Sequence, residues 1–561
     1  MKKKRFLAML LASALTVSGL LAGCGDEKAG QTGGYTPGDG EPTKVTIALQ
    51  SHQTVTDYDD NTLTKYIEEQ LNCDIEFVML PADAKEAKTK ISLLLAEGKD
   101  IPDIFVGGVD NTSAQQWGAE GYFLDVAKYV DDPKAMPHLN AALDMDTNRD
   151  TYNQSVRNVD GTIYGFATIA KPSTANEIQY CWWINQKWLD TLGLKAPTTL
   201  DELKTVLIAF RDGDPNKNGI KDEMPLYGTL NSGNGRNTLD AIINCFVYFA
   251  GNRDANKGLG VNDGKVNAVF TTDEYKAALK FMNELYKEKL IPDNIFTDTQ
   301  EQWKANCKLD PNVVGILTVT GGETDLNTNE MTYIPLLSGP TGISYTPHMP
   351  STWKIKMAIS ADTDTPELCI AIADLFYSKE GTLITRYGTE GVHWTRDTKQ
   401  MIEYGADPQY IEAAMDTYIM AKLTDLWQEN HNGNWRGVGV QCITTDMQML
   451  EYFGVDSQET KESNIKISGQ TQYLYNDWRE DNMRGHRPDE ILPELKYTSD
   501  ELKNISDIIV NVDAHVWQSL AEFIKGTRDI DKDWNKYLSE LENMGLKQWL
   551  TTAQTAYDRT K

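Results

Sequence analysis

The residues with the clearest chemical meaning lie in a short acidic loop, residues 212–223. Counting from Asp214, side-chain oxygens occupy loop positions 1, 3 and 5, and Gly219 occupies position 6, where the calcium loop of an EF-hand turns sharply. Because Ca²⁺ takes roughly six to eight oxygen ligands, this spacing predicts a structural calcium site. A solvated turn rich in Asn, Asp and Gly is the alternative. The candidate ligands are Asp214, Asn216, Asn218, the backbone carbonyl of Ile220, Asp222 and Glu223.

Catalytic motifs are not found in the sequence. It contains no HExxH, GxSxG or GxxxxGK[ST] segment, and its seven histidines never stand four residues apart. We therefore expect a protein that is not an enzyme. Glycoside hydrolysis needs only two suitably separated carboxylates, so the 82 acidic residues leave a secreted glycoside hydrolase open as a rival.

The first residues are typical of a bacterial export signal. A basic stretch, an apolar run and small residues precede Cys24. This pattern resembles the lipobox of bacterial lipoproteins, which implies a signal peptide of residues 1–23, cleavage after Gly23 and acylation of Cys24, for example with palmitate. Residues 24–42 are rich in Gly and polar residues and predict a flexible tether. An ordinary secretory signal with a chance cysteine is the alternative.

Composition limits the partners. The net charge of −28 argues against nucleic acids and other anionic polymers as ligands. Beyond the signal, no run is long and apolar enough to span a membrane, so we expect contact with the membrane only through the lipid. The scattered cysteines form no CxxC pair and predict buried free thiols, although a disulfide or two stays open. These cysteines are Cys73, Cys181, Cys245, Cys307, Cys369 and Cys442.

Strand and helix patterns alternate after the tether. Residues Lys44–Leu49, Cys73–Leu80 and Ile101–Val106 read as strands, and Leu63–Leu71 and Glu86–Glu97 read as the helices between them. Such alternation indicates βαβ units and a parallel sheet. Ligands of parallel α/β sheets bind beyond the carboxyl ends of the strands, so this edge is where we expect a site.

The later sequence predicts a second α/β unit and a helical end. Gln179–Asn185 is an aromatic strand, and Thr199–Glu202 has the spacing of a helix capping box. A second capping box, Thr498–Glu501, precedes a long run of apolar residues at helical spacing that stops at Gly526. The predicted fold class is therefore α/β with two lobes and a hinge, parallel-type sheets flanked by helices, and a helix-rich C-terminal part.

Taken in order along the chain, several motifs resemble the extracellular solute-binding proteins (family 1) of carbohydrate ABC importers. The similarity is greatest to the large lipoprotein branch in Gram-positive bacteria, and the wider group includes alginate-oligosaccharide-binding proteins. It extends over nearly the whole chain after the signal. The motifs are the lipobox, Ile101–Phe105, Asp160–Gly165, Trp183–Leu194, Pro197–Leu203, Asp214–Glu223, Tyr387–Trp394, Met544–Leu546 and Tyr557–Arg559.

The resemblance implies a two-lobed body that closes on a ligand and then docks on a membrane permease. It also implies that the loop Asp214–Glu223 holds calcium. Members of the family often have Arg and Asp where this chain has Asn185 and Lys187, which puts a local ion pair there in doubt. We assign residues 43–170 with 306–352 to an N-terminal lobe, and residues 171–305 with 353–561 to a C-terminal lobe.

Candidate ligand-binding residues combine aromatic rings with polar side chains. Sugar rings present apolar C–H faces to aromatic rings, and their hydroxyls need polar partners at the rim. For any single tryptophan a place in the core is the alternative. Trp435 is the first choice, because its polar loop offers little reason to bury it. The candidates are Gln50, His52, Asp110, Asn111, Trp117, Trp183, Trp353, His393, Trp394, Trp435 and Arg436.

The sequence thus predicts a calcium-stabilised, lipid-anchored binding protein on the outer face of the cytoplasmic membrane. We expect it to be a monomer that captures an oligosaccharide and delivers it to an ABC transporter permease. A binding protein for peptides or for another non-sugar solute is the nearer alternative, and the glycoside hydrolase is the more distant one.

Overall fold

The structure is a computed structural model. It describes residues 35–145, 148–170, 181–230, 237–250, 256–319, 330–346, 353–403, 421–422, 429–444 and 484–561. Cys24, the predicted lipidation site, and the predicted signal peptide lie outside the described residues. Within the described part, the molecule is built around two mixed sheets, each with its own hydrophobic core.

The first sheet has the strand order β2-β1-β3-β12-β4. Strands β1, β2 and β3 are parallel, whereas β12 runs antiparallel to both β3 and β4. The core around this sheet includes every residue of β3 and helices that pack on its faces. We call this body the first lobe. Its strands are Thr43–Gln50 (β1), Cys73–Leu80 (β2), Ile104–Val106 (β3), Phe166–Ala167 (β4) and Ile355–Ile359 (β12).

The second sheet has the strand order β11-β6-β10-β7. Strand β6 is antiparallel to both β10 and β11, and β10 is parallel to β7. Its core also takes in the three C-terminal helices, and we call this body the second lobe. Its strands are Cys181–Asn185 (β6), Met224–Leu226 (β7), Val314–Val319 (β10) and Met331–Ile334 (β11).

Three small two-stranded sheets complete the strands of the described residues. They pair Ile169–Ala170 (β5) with Cys442–Ile443 (β15), Leu259–Asn262 (β8) with Lys265–Ala268 (β9), and Trp394–Thr395 (β13) with Ala421–Lys422 (β14).

Helices of the first lobe pack on its sheet and on one another. They are Thr62–Leu71, Ala84–Glu97, Asn111–Ala119, Ala127–Val130, Pro137–Leu143, Asn148–Val156, Pro366–Tyr377, Lys379–Tyr387 and Thr398–Glu403. Helices of the second lobe are Gln186–Leu192, Leu200–Asp212, Asn237–Ile243, Asp273–Lys287, Gln300–Cys307, Ser499–Lys525, Ile530–Asn543 and Leu546–Asp558. Short 3₁₀ turns occur at Val269–Thr271, Asp293–Phe296 and Arg484–His486.

The predicted strands and helices of the first βαβ units are confirmed to within three residues at each end. The capping box at Thr498 is also confirmed, since its hydroxyl accepts from Glu501 N and the Glu501 carboxylate accepts from Thr498 N. Gly526 ends that helix with a φ of 74°, a left-handed conformation that glycine adopts at little cost. The six predicted thiols are buried and none of them forms a disulfide, which removes the disulfide alternative for these residues.

The later boundaries of the lobes differ from the predicted ones. Strands β10 and β11, within 306–352, belong to the second sheet, and β12, after residue 353, belongs to the first. Residues 314–334 therefore belong to the second lobe and residues 353–377 to the first, whereas the C-terminal helices from Ser499 onward lie in the second lobe as predicted. Local patterning predicts a strand but does not say which sheet edge it joins, because that choice depends on side chains far away in sequence.

The tether also differs from its predicted extent. The Tyr35 hydroxyl donates to the Leu71 carbonyl at 3.4 Å, and Asn72 Nδ2 donates to the carbonyls of Gly38 and Gly40 at 2.7 and 3.1 Å. These bonds fix residues 35–42 against the first lobe beside the start of β2. Tyr35 supplies the apolar surface that the glycine-rich composition otherwise lacks.

Candidate ligand-binding site

Loops at the carboxyl edge of the first sheet carry the predicted polar residues. Gln50, at the end of β1, donates from Nε2 to the Ala82 carbonyl at 2.8 Å, and its Oε1 accepts from Gly108 N at 3.1 Å. Gly107 has a φ of 77°, and a Cβ there would lie 2.6 Å from Gln50 Cβ. Gln50 therefore ties together the loops that follow three strands, and its predicted role as a ligand contact becomes a structural one.

Three segments far apart in sequence meet beside His52. Val55 bridges to His431, whose backbone N–H donates to the Thr54 carbonyl at 2.8 Å. The rings of His393 and His431 lie 6.1 Å apart, edge to face. Gly433 permits this approach, since a Cβ there would lie 2.6 Å from His393 Cε1. We call His52, His393, His431, Asn432 and Arg436 the imidazole cluster.

Backbone and side-chain hydrogen bonds hold the cluster's loops on the N-terminus of the helix Thr62–Leu71. Thr62 N donates to the Asn432 carbonyl at 2.9 Å, and Asn61 Nδ2 donates to the Asn434 carbonyl at 3.0 Å. The hydroxyls of Thr62 and Thr389 lie 2.9 Å apart. Thr389 N in turn donates to His393 Nδ1 at 3.0 Å, which fixes the orientation of that ring.

Both predicted histidines have lowered pKa values. Burial lowers the pKa of His52, and the positive charge of Arg436 lowers it further. Burial lowers the pKa of His393. Both imidazoles are therefore neutral at pH 7, and a neutral ring has one donor and one acceptor nitrogen. The Nδ1 atoms of both rings accept from backbone N–H groups of Thr54 and Thr389, which leaves each Nε2 as a donor.

The prediction that Trp435 is exposed is wrong. Its indole is fully buried between Phe77 and Phe376, with ring centroids 5.5 and 5.8 Å away. Its Nε1 donates to the Thr64 hydroxyl at 2.9 Å. The polar loop turns its tryptophan inward because this one side chain fills the space between the sheet and two helices. The packing of Trp435 against the first lobe therefore fixes the loop that carries His431, Asn432 and Arg436.

Other predicted tryptophans also lie in the interior. Trp394 is buried and donates from Nε1 to the Gly388 carbonyl at 2.9 Å. Trp117 packs edge to face on Phe123 in the first core. Trp353 is buried and donates from Nε1 to the Ala170 carbonyl at 2.8 Å. In this conformation their ring faces are used in packing.

Trp183 keeps some exposure. It is half-buried in the second lobe, where it meets Tyr333 edge to face at 5.6 Å. It is the predicted aromatic residue of the second lobe, and its ring is less enclosed than those of the other predicted tryptophans.

Asp110 and Asn111 have local structural roles. Asp110 caps the helix Asn111–Ala119, accepting from Ser113 N at 2.8 Å. Burial tends to raise the pKa of Asp110, but the Lys88 ammonium and the Ser113 hydrogen bonds outweigh it and hold that pKa below its usual range. Asn111 Oδ1 accepts from Ile355 N at 2.7 Å, which ties β12 to the helix.

His431 and Asn432 were not among the predicted site residues, although they lie in the same polar loop as Trp435. Tyr58 was missed as well, and its hydroxyl accepts from His52 N at 2.7 Å. The polar residues around Trp435 carried the better signal, because a loop that buries its one large apolar side chain leaves its polar side chains to form the surface next to it.

The predicted calcium loop forms a closed turn. Gly219 N donates to Asp214 Oδ2 at 3.2 Å, and Asn218 Nδ2 donates to Asp222 Oδ2 at 3.0 Å. Glu223 Oε1 is buried without a hydrogen-bond partner among the described residues. Burial raises the pKa of Glu223, and the nearby Asp222 and Asp214 raise it further. The loop thus concentrates negative charge and leaves a buried oxygen unpaired, which fits a cation.

The carboxylates of the loop do not surround a common point. Among the described residues no three His, Cys, Asp or Glu side chains are close enough to hold a metal ion. Amide nitrogens of Asn216 and Asn218 lie against Asp222 instead. Rotating these amides would turn their oxygens toward the same space, because Oδ1 and Nδ2 differ only by that rotation.

No family model matches the sequence. A curated relative is the "Fructooligosaccharide ABC transporter substrate-binding protein FusA" of Streptococcus pneumoniae, 26% identical, with 100% of this chain and 99% of the relative covered. The resemblance to the extracellular solute-binding proteins is thereby confirmed. A second relative is the "Polygalacturonan/rhamnogalacturonan-binding protein YtcQ" of Bacillus subtilis, 24% identical over 73% of this chain and 80% of its own.

Solved structures share the fold. FusA of S. pneumoniae in complex with kestose has a TM-score of 0.73 at 22% identity, covering 92% of this chain and 99% of that chain. An extracellular solute-binding protein from Bifidobacterium longum subsp. infantis has a TM-score of 0.70 at 21% identity, covering 93% and 99%. The alginate-binding protein AlgQ2, solved without calcium ion, has a TM-score of 0.64 at 20% identity, covering 92% and 98%. The predicted fold class is confirmed.

Across the part of the chain that the structure describes, no helix is long and apolar enough to cross a bilayer.

Replacing Trp435 should destabilise the protein before any ligand is added. Trp435→Ala removes a fully buried indole, and such truncations cost about 3–5 kcal/mol of unfolding free energy. Trp435→Phe should cost less, since it keeps a ring but loses the hydrogen bond to Thr64. Urea unfolding followed by circular dichroism measures both values. A Trp435→Ala variant as stable as the parent would contradict the packing role.

The imidazole cluster should make stability depend on pH. The pKa values of His52 and His393 are lower in the folded protein than the ordinary 6.5, so below pH 6.5 the unfolded chain binds more protons. The contribution of these two histidines to the unfolding free energy is complete above pH 6.5. It is lost as the pH falls from there through their pKa values in the folded protein. Urea unfolding measured at several pH values from 7.5 to 5, around that ordinary value, gives the unfolding free energy as a function of pH. This free energy should depend less on pH in a His52→Gln/His393→Gln variant than in the parent. Parallel curves would refute this.

Proposed function

We propose that this protein captures a neutral oligosaccharide between its two lobes and delivers it to the permease of an ABC importer. The observation that carries the proposal is the similarity over 100% of the chain to a relative named for fructooligosaccharides. The cluster at the carboxyl edge of the first sheet supports it, because parallel α/β sheets bind their ligands there.

The chemistry of the cluster favours a ligand rich in hydroxyl groups. In neutral His52 and His393 the Nδ1 atoms accept from Thr54 N and Thr389 N, so each Nε2 carries the ring proton and can donate to a ligand hydroxyl. Asn432 adds its amide Nδ2 as a donor, since its Oδ1 accepts from Asp57 N. Arg436 supplies several donors without an acceptor. Trp183 of the second lobe is proposed to offer an aromatic face to a sugar ring from the opposite side. Binding by both lobes at once would favour the closed state, and closure would create the surface that the permease recognises.

The net charge favours a neutral over an acidic sugar. YtcQ is named for polygalacturonan, an anionic polymer, but the present chain carries −28 at pH 7. Long-range repulsion would slow the approach of a polyanion, and a neutral oligosaccharide escapes it.

The proposed setting is the outer face of the cytoplasmic membrane. Acylated Cys24 would anchor a monomeric protein through a tether of residues 24–34, because residues 35–42 pack on the first lobe. Such a tether of about 11 residues has a typical reach of roughly 16–20 Å. A named relative, the "Lipoprotein LipO" of B. subtilis, supports the anchor at 24% identity.

Calcium is proposed to complete the loop Asp214–Glu223. The ligands would be Asp214, Asn216, Asn218, the Ile220 carbonyl, Asp222 and Glu223. Its contribution would be structural, since a cation would neutralise the carboxylates and pair the buried Glu223 oxygen.

Isothermal titration should identify the ligand class. Kestose and other neutral oligosaccharides are expected to bind saturably, whereas oligogalacturonates and short peptides are not. His393→Ala should weaken binding about tenfold or more, because an unpaired hydroxyl costs about 1–3 kcal/mol in a closed site. Lys99→Ala, a change on an exposed loop of the first lobe, is the matched control. Binding of peptides alone would overturn the proposal, and sugar cleavage during titration would favour the hydrolase.

Removing calcium should lower the melting temperature. A ligand at about 100 times its Kd stabilises the native state by about 2.7 kcal/mol, and a chelator removes this. Glu223→Gln should abolish the calcium response, whereas Asp212→Asn should keep it, since Asp212 ends the preceding helix, pairs with Arg211 and is not one of the proposed ligands. A melt that is the same with calcium and with chelator would refute the calcium site.

A further inference from the structure

Among the described residues, the chain changes lobe after residues 170, 346 and 444, and it is described again from residues 181, 353 and 484. The first-lobe residues next to these changes lie together. Strand β5, which ends at Ala170, pairs with β15 at Cys442–Ile443. Trp353 Nε1 donates to the Ala170 carbonyl at 2.8 Å. We call Ala170, Trp353 and Ile443 the hinge base.

Both the backbone and the ring of Trp353 make contacts within the first lobe. Its backbone N–H donates to the Ser155 hydroxyl at 3.0 Å, and its carbonyl accepts from Asn111 Nδ2 at 3.2 Å. Its ring meets Tyr152 edge to face at 6.3 Å. The hinge base is therefore part of the first lobe, and it lies beside the residues at which the described chain changes lobe.

One second-lobe segment, residues 492–497, reaches this place. Leu495 is buried in the second core, and its backbone N–H donates to Asn256 Oδ1 at 3.1 Å. Arg559 donates to the Lys496 carbonyl at 2.7 Å and pairs with both carboxylate oxygens of Glu501. The backbone of Lys496 therefore moves with the second lobe.

Two hydrogen bonds cross from this segment to the first lobe. The Lys496 ammonium donates to the Ser155 carbonyl, which also accepts from Asn111 Nδ2 at 2.9 Å. Gln115 Nε2 donates to the Tyr497 carbonyl at 2.8 Å. Burial lowers the pKa of Lys496, although Glu494 opposes this. A charged donor that is largely shielded from water loses more than a neutral one when its acceptor moves away.

We propose that Lys496 is a positioning residue for lobe closure. Its bond to Ser155, with the Gln115–Tyr497 bond beside it, forms a non-covalent pivot next to the hinge base. Contacts near a rotation axis move little when the lobes turn, so the pivot can persist from the open to the closed state and restrict the direction of closure. The inference rests on the proposed function in one respect, that the lobes close around a ligand.

The width of the interlobe distance distribution tests the pivot in the absence of any ligand. Spin labels attached through introduced keto amino acids at the exposed Thr89 and Thr551 report this distance by pulsed electron resonance. Lys496→Met removes the charged donor but keeps the length of the side chain. We expect it to broaden the distribution about twofold, because the lobes then sample more orientations. Gln115→Leu should broaden it in the same way.

Two further variants separate positioning from general destabilisation. Lys496→Arg keeps a charged donor and should restore a narrow distribution, whereas Lys547→Met, at an exposed site on a second-lobe helix, should leave it unchanged. Identical widths for the parent, Lys496→Met and Gln115→Leu would overturn the pivot. Because no sugar is present, a failure of the sugar-binding proposal would leave this measurement intact.

Discussion

The buried indole of Trp435 is the contact on which the candidate site depends. It fills the space between Phe77 of the edge strand β2 and Phe376 of a helix that covers the sheet. Its N–H bond to Thr64 sets how far the loop can approach. His431, Asn432 and Arg436 belong to the same loop, with His431 buried and the other two partly exposed, so the position of each polar group depends on the packing of one apolar ring.

This arrangement separates stability from recognition within a few residues. The ring is held by packing with aromatic neighbours, which is worth about 0.5–1.5 kcal/mol per pair beyond the burial of area. The imidazoles are held by a few hydrogen bonds to backbone and hydroxyl groups. Since the lowered pKa of His52 keeps that ring neutral, the positive charge of the cluster comes from Arg436.

The two lobes are also largely separate in their packing. Each lobe has its own core, and direct contact between them includes the short segment around Lys496. A body built this way can turn where the chain changes lobe without disturbing either core. The side chain of Asn111 makes three hydrogen bonds beside the hinge base, to Ser155, to Trp353 and to Ile355 of β12.

Local elements could be predicted from the sequence because their signals are local. Helical spacing, capping residues and Gly526 fix the long helix near the C-terminus, and β2 was predicted with its observed bounds. The Asn/Asp/Gly pattern likewise predicted a closed acidic turn at Asp214–Glu223, because its hydrogen bonds join residues only a few positions apart.

By itself, the sequence determined the fold class, the order of the elements and the family resemblance. Tertiary structure alone decided which sheet β10 and β12 join, that residues 35–42 pack on the first lobe, and that Trp435 points inward. It also brought His393 to His431. The physical reason is the same in each case. These outcomes depend on contacts between residues tens to hundreds of positions apart, and the energy of such contacts leaves no periodic trace in the sequence around either partner.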